Sequence, residues 1–293
     1  MKWGDAVDAW STHVAGQLAP STARRYAVSL VQCQPYLAAR LVREITGEAI
    51  SVLIRGRKAA GATAATIRRD LTAISRVLEF SEAEGWSEGN ATLSKRRTVK
   101  ERREPIALPQ RRDIEAVIAV ASPRFAAFIR AAILTGCRQD ELVRMTWKGY
   151  DEARGTVTFT GKGNKRRTIA LSDEASAHFS AQPRTLGSPL IFCREGGEPF
   201  AQAASDFCHL KRSAAAKARR DGADFTAFRF HDLRHLFAVE ALHAGMGIYN
   251  LSQHLGHSSV KTTEIYLAFL SPDEAEEARR GSAQNTAHRK RFA

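Results

Sequence analysis

Leu255-Gly256-His257, followed by Thr262-Thr263-Glu264-Ile265-Tyr266, is the stretch that most strongly indicates how this chain folds and acts. Tyr266 lies nine positions after His257. A phenol oxygen can attack a phosphodiester, which leaves a phosphotyrosine and frees one strand end. This step conserves the bond energy for a later reversal and needs neither ATP nor a metal ion. Most tyrosines are packing or surface residues, but the position of Tyr266 in this stretch favours a nucleophile.

Three polar segments precede this stretch, and two of them each contribute an arginine. Arg138 lies in Thr135-Gly136-Cys137-Arg138-Gln139-Asp140-Glu141-Leu142, and Arg234 lies in His231-Asp232-Leu233-Arg234-His235. The planar guanidinium forms two parallel bonds to phosphate oxygens and keeps its charge. Such donors contribute most when a pentacovalent phosphorus gathers negative charge. We therefore expect Arg138 and Arg234 to hold a scissile phosphate, with Glu141 as a supporting residue. A simple Arg138–Glu141 salt bridge is the alternative.

His231 precedes Arg234 by three positions, so both face the same way on a helix. Imidazole titrates near neutrality, so His231 could exchange a proton with Tyr266. A capping or core histidine is the alternative. His231 and His235 are also four apart, a spacing that suits a metal on a helix. No cysteine pair or HExxH pattern accompanies them, and we expect no metal site.

In this order the segments closely resemble the tyrosine recombinase, or phage integrase, family and especially its XerC/XerD-like branch. The third segment, Gly161-Lys162-Gly163-Asn164-Lys165, is part of the resemblance. Arg234 and His257 are 23 positions apart, a spacing typical of the family. The similarity is strong from about Ile106 to Leu270 and looser over the first ninety residues. Leu236 is a departure, because most relatives have a small hydroxyl residue there.

The resemblance implies six catalytic positions and no cofactor. Tyr266 would link to the 3′-phosphate, His257 would hydrogen-bond the scissile phosphate, and Lys162 would protonate the departing 5′ oxygen. A structural histidine is the alternative for His257, and a solvent-exposed basic hairpin is the alternative for Lys162. The complete set is Arg138, Lys162, His231, Arg234, His257 and Tyr266.

The resemblance also implies partners. These are double-stranded DNA carrying a recombination site of inverted repeats, and three further copies of the chain in a tetramer that exchanges strands through a Holliday junction. A second recombinase and an accessory DNA-bending or directionality factor stay open. The segment after Ser271 could dock on a neighbouring subunit.

The charge of the chain also favours a nucleic-acid partner. Lys and Arg number 44 against 31 Asp and Glu, which gives a net charge of +13 and a pI near 10.0. The basic residues cluster, and several clusters in one basic chain indicate DNA binding better than solvated helix faces. The candidate DNA contacts are Lys95, Arg96, Arg97, Lys100, Arg102, Arg103, Lys165, Arg166, Arg167, Lys211 and Arg212.

Cysteine usage and hydropathy predict a cytoplasmic, nucleoid-associated protein. The four cysteines form no CxxC pair and no disulfide-like spacing, so we expect reduced thiols. The amino terminus lacks the apolar run of a signal peptide. The most apolar stretch, Phe125 to Cys137, is too short to span a bilayer, so we expect no membrane contact.

Periodicity predicts a mainly α fold with a small antiparallel β-sheet, in two domains. Four capped helices form a bundle over residues 1–90, which the resemblance identifies as a SAM-like core-binding DNA clamp. We expect a basic linker at 91–105, an α+β catalytic domain at 106–280 and a mobile tail at 281–293. The expected strands are Thr156–Thr160 and Arg167–Leu171. Helices are expected at 5–18, 20–38, 46–56, 63–85, 109–121, 123–136, 138–145, 200–220, 231–244, 247–255, 259–268 and 272–280.

Two other functions use some of the same features. A type IB topoisomerase-like enzyme has a similar residue set but relaxes supercoils as a monomer. A DNA-binding regulator on a decayed recombinase would keep the fold without the chemistry. All six catalytic positions are filled, which argues against decay.

Overall fold

The structure is a computed structural model that describes residues 1–101, 105–160 and 166–281. The chain divides into two compact units, Met1–Pro105 and Ile106–Ala293. Four predicted site residues lie outside the described residues: Lys162, Lys165, Arg102 and Arg103. Of the tail expected at 281–293, only Gly281 is described. Among the described residues, no helix is long and apolar enough to cross a membrane.

In its described residues, the first unit is built from five helices around one apolar core. Thr46 and Thr63 cap the third and fourth helices by accepting hydrogen bonds from backbone N–H groups. The long fourth helix buries Ile67, Leu71 and Ile74 at three- and four-residue spacing. The helices are α1 (Trp3–His13), α2 (Pro20–Leu37), α3 (Gly47–Ala59), α4 (Ala64–Ala83) and α5 (Thr92–Thr98), with a 3₁₀ turn at Val42–Glu44.

Helix α5 corrects the expected linker at 91–105. Its seven residues belong to the first unit and contact α3 and α4. Arg68 of α4 donates from Nη1 to the carbonyl oxygens of Arg96, at 3.2 Å, and Val99, at 3.0 Å. Thr92 and Val99 are buried, whereas Arg97 is exposed. The basic composition concealed this helix because its buried positions are few: Thr92 at its start and Val99 immediately after its end.

The second unit surrounds a small sheet with helices. Its elements are α6 (Arg111–Ala119), α7 (Pro123–Thr135), α8 (Gln139–Val143), β1 (Tyr150–Asp151), β2 (Thr156–Thr160), β3 (Arg166–Ala170), α9 (Asp173–Ser180), α10 (Ala203–Arg220), α11 (Phe230–His243), α12 (Ile248–Leu255) and α13 (Pro272–Arg280). Three 3₁₀ turns occupy Trp147–Gly149, Val260–Thr262 and Glu264–Phe269. The strands are antiparallel in the order β1-β2-β3, with Val157 opposite Ile169. The predicted mainly α fold with a small antiparallel sheet is confirmed.

Two apolar clusters in the second unit support the helices that carry the polar segments. One is rich in phenylalanine, with Phe128 packed between Phe200 and Phe230. The other joins α11, α12 and α13 and includes Tyr266. Leu236, the departure from the family pattern, is a buried core residue. Helix α11 therefore packs against both clusters, and this packing fixes the direction of its polar side chains.

The second unit also differs in places from the sequence-based expectation. The expected helix at 259–268 consists of two 3₁₀ turns. Helix α9 was not expected, because only Ala175 and Phe179 mark its buried side. Helix α13 lies at the predicted residues and packs against α12, burying Ala275 and Ala278; docking of this segment on a neighbouring subunit stays a prediction.

Candidate active site

The start of α11 is fixed by a capping box. The backbone N–H of Arg229 donates to Asp232 Oδ2 at 2.7 Å, and its guanidinium also bonds the Asp232 carboxylate. Asp232 is buried, so its charge faces the helix amino terminus. This cap sets the position of the following turn, which carries Arg234 and His235.

Arg234 is a buried guanidinium that joins two helix ends. It donates from Nη1 to the carbonyl of Gly136 at 2.8 Å, and from Nη2 to the carbonyl of Leu255 at 2.6 Å. Nη2 also donates to His257 Nε2 at 3.1 Å. These bonds use three of its five N–H groups. Within the described residues the other two have no hydrogen-bond partner and can bind an anion.

The field around Arg234 suits an anionic ligand. Burial, followed by the cation of Arg138, lowers the pKa of Arg234 to about 10. The side chain is thus still charged at neutral pH but poorly solvated. A phosphate bound here would restore the lost solvation of the cation. The arrangement therefore favours binding of a phosphodiester anion.

His257 is held by both ring nitrogens. Because the arginine can only donate, His257 Nε2 accepts from Arg234. The neutral ring therefore carries its proton on Nδ1, which donates to Thr263 Oγ1 at 2.8 Å. Burial and the charge of Arg234 lower the pKa of His257 to about 4. This histidine is neutral at physiological pH.

Arg138, Glu141 and Arg167 form an ion-pair cluster beside this site. Glu141 accepts from Arg138 Nη1 at 3.0 Å and from Arg167 Nη2 at 2.9 Å. Arg138 Nη2 also reaches the Gly256 carbonyl at 3.4 Å. The Arg138 side chain is 42% exposed, so it can meet a ligand from solvent while Glu141 holds its position.

Arg167 does not have the place that the sequence analysis expected. The sequence predicts a phosphate contact for Arg167. Its side chain is only 16% exposed, and its Cζ lies over the Phe159 ring, 4.6 Å from the ring centroid. Burial lowers the pKa of Arg167, and Glu141 opposes that shift. Strand alternation contained the missed signal, because Arg167 shares a strand face with buried Ile169.

Tyr266 is buried, with 1% of its surface exposed. Its hydroxyl lies 2.9 Å from His235 Nδ1, its one hydrogen-bond partner among the described residues. Burial raises the pKa of Tyr266, whereas Arg234 and Arg138 oppose that rise. The sequence predicts that His231 exchanges a proton with Tyr266, whereas in the structure the hydroxyl contacts His235.

His231 is exposed at the mouth of the site. Its ring meets the His235 ring edge-on, with centroids 4.9 Å apart. Burial of part of the ring and the cation of Arg234 lower the pKa of His231. No hydrogen bond of this ring is present within the described part of the chain, which leaves both nitrogens open to a ligand.

His254 is a second residue that the sequence analysis did not assign. Its Nε2 lies 2.9 Å from the Thr135 carbonyl, so that nitrogen carries the proton, and its ring stacks on Phe237. Together with Arg234, it fixes the end of α7 immediately before Arg138. The residues around His254 in the sequence do not indicate this role, because the Thr135 carbonyl lies 119 positions away.

The remaining predicted DNA contacts lie in separate places. Lys100, Arg97, Arg166 and Arg212 are exposed, and Lys95, Arg96 and Lys211 are partly buried. Those at 95–100 belong to the first unit, and those at 166–212 to the second. In the described ranges, no group of three or more His, Cys, Asp or Glu side chains is arranged to hold a metal ion.

Comparisons with known proteins agree on one family. The family model described as "Phage integrase family" matches residues 110–271. The tyrosine recombinase XerC of Xanthomonas campestris pv. campestris is 31% identical over 173 residues, which cover 55% of this chain and 52% of that protein. The chain thus spans about half the length of this relative. XerD of Halalkalibacterium halodurans is 27% identical over 246 residues, 78% of each chain.

The fold has a counterpart among solved structures. A lambda integrase tetramer bound to a Holliday junction superposes with a TM-score of 0.74 at 19% identity. The match covers 91% of this chain and 77% of that chain. This level of identity establishes similarity of fold.

Proposed function

This chain belongs to the phage integrase family, and on that basis we propose that it is a site-specific recombinase that cuts and rejoins DNA through a covalent 3′-phosphotyrosine. The observation that carries the proposal is the assembly of a phenol, two guanidiniums and three imidazoles in one unit by contacts around α11. The tyrosine recombinases similar to it support the same reaction.

The cleavage step uses these side chains in distinct roles. The two free N–H groups of Arg234 and the exposed end of Arg138 grip the non-bridging oxygens of the scissile phosphate. His231, whose ring nitrogens are open to a ligand, adds a contact to the same phosphate, whereas His257, whose two ring nitrogens bond Arg234 and Thr263, holds Arg234 in position. The Tyr266 oxygen attacks the phosphorus, and Lys162 supplies the proton to the departing 5′ oxygen. Glu141 and Arg167 hold Arg138 in place.

The buried phenol implies a movement before attack. Tyr266 is 1% and Arg234 2% exposed, so the segment of Tyr266 shifts when DNA binds and opens both side chains to the phosphate. Its 3₁₀ turns favour such a shift, because their i to i−3 bonds are weaker than those of an α-helix.

Double-stranded DNA and further copies of the chain are the proposed partners. The basic residues of both units, among them Lys95, Arg96, Lys211 and Arg212, would contact phosphates, with the first unit acting as a clamp. A tetramer on two sites would exchange strands through a Holliday junction, as the lambda integrase complex suggests.

A suicide substrate tests this function. Duplexes that the protein binds are selected from a random pool and prepared with a nick beside each candidate scissile phosphate. We expect a covalent protein–DNA adduct on a denaturing gel, lost in Tyr266→Phe while DNA binding persists. Binding without an adduct on every selected site would favour a DNA-binding regulator. Relaxation of any supercoiled plasmid regardless of site would favour a topoisomerase.

A further inference from the structure

The nucleophile of the proposed reaction rests against a histidine that the family resemblance did not assign. His235 Nδ1 lies 2.9 Å from the Tyr266 hydroxyl, and the two ring centroids are 5.6 Å apart. His235 directly follows Arg234 on α11, so this imidazole and the buried guanidinium are carried by the same helix.

We propose that His235, rather than His231 or His257, receives the proton of Tyr266 when the phenol attacks DNA. The inference rests on the proposed recombinase function and specifies which group acts on its nucleophile. It follows from the contact between His235 and the reacting oxygen.

The phenol needs an acceptor. Burial raises the pKa of Tyr266, so its hydroxyl keeps its proton at physiological pH. A neutral phenol is a poor nucleophile, and a positioned base contributes about 10²- to 10⁴-fold to such a step. His235 Nδ1 contacts the hydroxyl before DNA binds, and the proposal requires this contact to persist when the segment of Tyr266 shifts.

The other two histidines are less suitable acceptors. His257 Nε2 accepts from Arg234, and its Nδ1 proton is donated to Thr263, so this ring has no free lone pair. His231 is exposed and touches the His235 ring instead of the phenol.

Burial and the charges around His235 lower the pKa of its imidazole, and a bound DNA phosphate would offset part of this effect and make the imidazole a stronger base. Burial, and next the charge of His231, lower the pKa of His235 to about 4, so its lone pair is free at neutral pH. Arg229 and Arg234 lower this pKa further, and Asp232 opposes them. A phosphodiester on Arg234 brings a negative charge that offsets part of this repulsion.

The proton and bond changes balance. The Tyr266 O–H bond breaks and an N–H bond forms at His235 Nδ1, while the phenol oxygen bonds to phosphorus. The bond from phosphorus to the 5′ oxygen breaks, and that oxygen takes a proton from the general acid, for which Lys162 is proposed. Religation runs the same steps in reverse.

Two variants separate proton acceptance from orientation. The asparagine of His235→Asn can accept the phenol hydrogen bond near the Nδ1 position but cannot take up the proton, whereas His235→Ala does neither. His243→Gln is the matched control, since His243 is exposed two turns later on α11 and pairs with Glu274. Adduct formation is measured in single turnover on the suicide duplex. A second duplex has sulfur as the 5′ bridging atom and needs no proton on its leaving group.

We expect both His235 variants to form adduct about 10²-fold or more slowly than wild type on both duplexes, with unchanged DNA affinity. His243→Gln should match wild type. If His235→Asn formed adduct as fast as wild type, His235 would only orient the phenol. If the duplex with bridging sulfur restored the rate of both variants, His235 would instead act on the leaving group. Either result overturns the inference while leaving the recombinase function intact. If wild type itself forms no adduct, the proposed function fails.

A measurement on the wild-type protein covers the case in which the variants do not fold. In ¹⁵N-histidine-labelled protein, we expect the His235 Nδ1 resonance to be that of an unprotonated acceptor nitrogen. An N–H donor resonance at Nδ1 at neutral pH would contradict the proposal.

Discussion

At the scale of single residues, the two arginines of the site divide one task. Arg234 is buried and donates to the carbonyls of Gly136 and Leu255, so it would serve both the fold and the proposed phosphate contact. Arg138 is 42% exposed and rests on Glu141, so it can adapt to a bound ligand. The guanidinium of Arg234 is thus expected to contribute more to stability than that of Arg138, whereas both contribute to the proposed catalysis.

This division predicts a contrast between two variants. Arg234→Ala leaves two carbonyls and His257 without their donor and should lower the free energy of unfolding by about 2–4 kcal/mol. Arg138→Ala should lower it by less than about 1 kcal/mol, because the pair is partly solvated. Both should slow adduct formation about 10²-fold or more. Urea denaturation and single-turnover cleavage measure the two effects, and equal destabilisation by both variants would contradict the division.

At the scale of elements, four backbone carbonyls at two helix ends converge on the site. His254 and Arg234 bind the end of α7, and Arg234 and Arg138 bind the end of α12. Gly256 ends α12 at a φ of +66°, where an added Cβ would collide with the Arg167 guanidinium. The glycine before His257 is therefore required by both the turn and the packing.

The neutral histidine between α12 and α7 predicts a pH dependence of stability. Burial lowers the pKa of His254 from 6.5 to about 4. Below pH 6.5, His254 therefore binds a proton in the unfolded chain, whereas in the folded chain it does so only near pH 4. Stability is complete above pH 6.5 and falls with pH through this window, by up to about 1.4 kcal/mol per pH unit.

The measurement compares urea denaturation of wild type and His254→Gln between pH 7 and pH 4.5. The glutamine can still donate to the Thr135 carbonyl but does not titrate. We expect its stability to fall less steeply with decreasing pH. An identical slope in both proteins would show that His254 is not the group responsible.

Comparison of sequence and structure shows which signals carry information. Helix α13 lies where the sequence analysis placed it, because Pro272 and the cap of Ser271 mark its start. The roles of His235, His254 and Arg167 were missed or misassigned. Their partners lie 31, 119 and 26 positions away, so only the tertiary fold reveals these contacts. Local pattern predicts elements and motif residues, whereas partners distant in sequence decide what each motif residue touches.

At the scale of the whole molecule, the net charge of +13 would govern the proposed encounter with DNA. Each phosphate contact releases a condensed counterion, so affinity falls linearly with the logarithm of salt concentration. The basic residues of α5 move with the first unit, because Arg68 fixes the end of this helix. Contacts there would add affinity without taking part in the chemistry.

We therefore predict that Arg97→Gln weakens DNA binding and reduces the slope of log affinity against log salt by about 1. Its cleavage rate on saturated DNA should match wild type, because the residue is exposed on α5 in the first unit. Fluorescence anisotropy at several salt concentrations measures the slope. An unchanged slope would remove Arg97 from the set of phosphate contacts.

The most direct test of the account identifies the atom that becomes bonded to DNA. The trapped adduct is digested with protease and nuclease, and the peptide that retains a nucleotide is sequenced by tandem mass spectrometry. The account predicts a nucleotide joined through its 3′-phosphate to the Tyr266 oxygen. A nucleotide on any other side chain, or one joined through its 5′-phosphate, would contradict it.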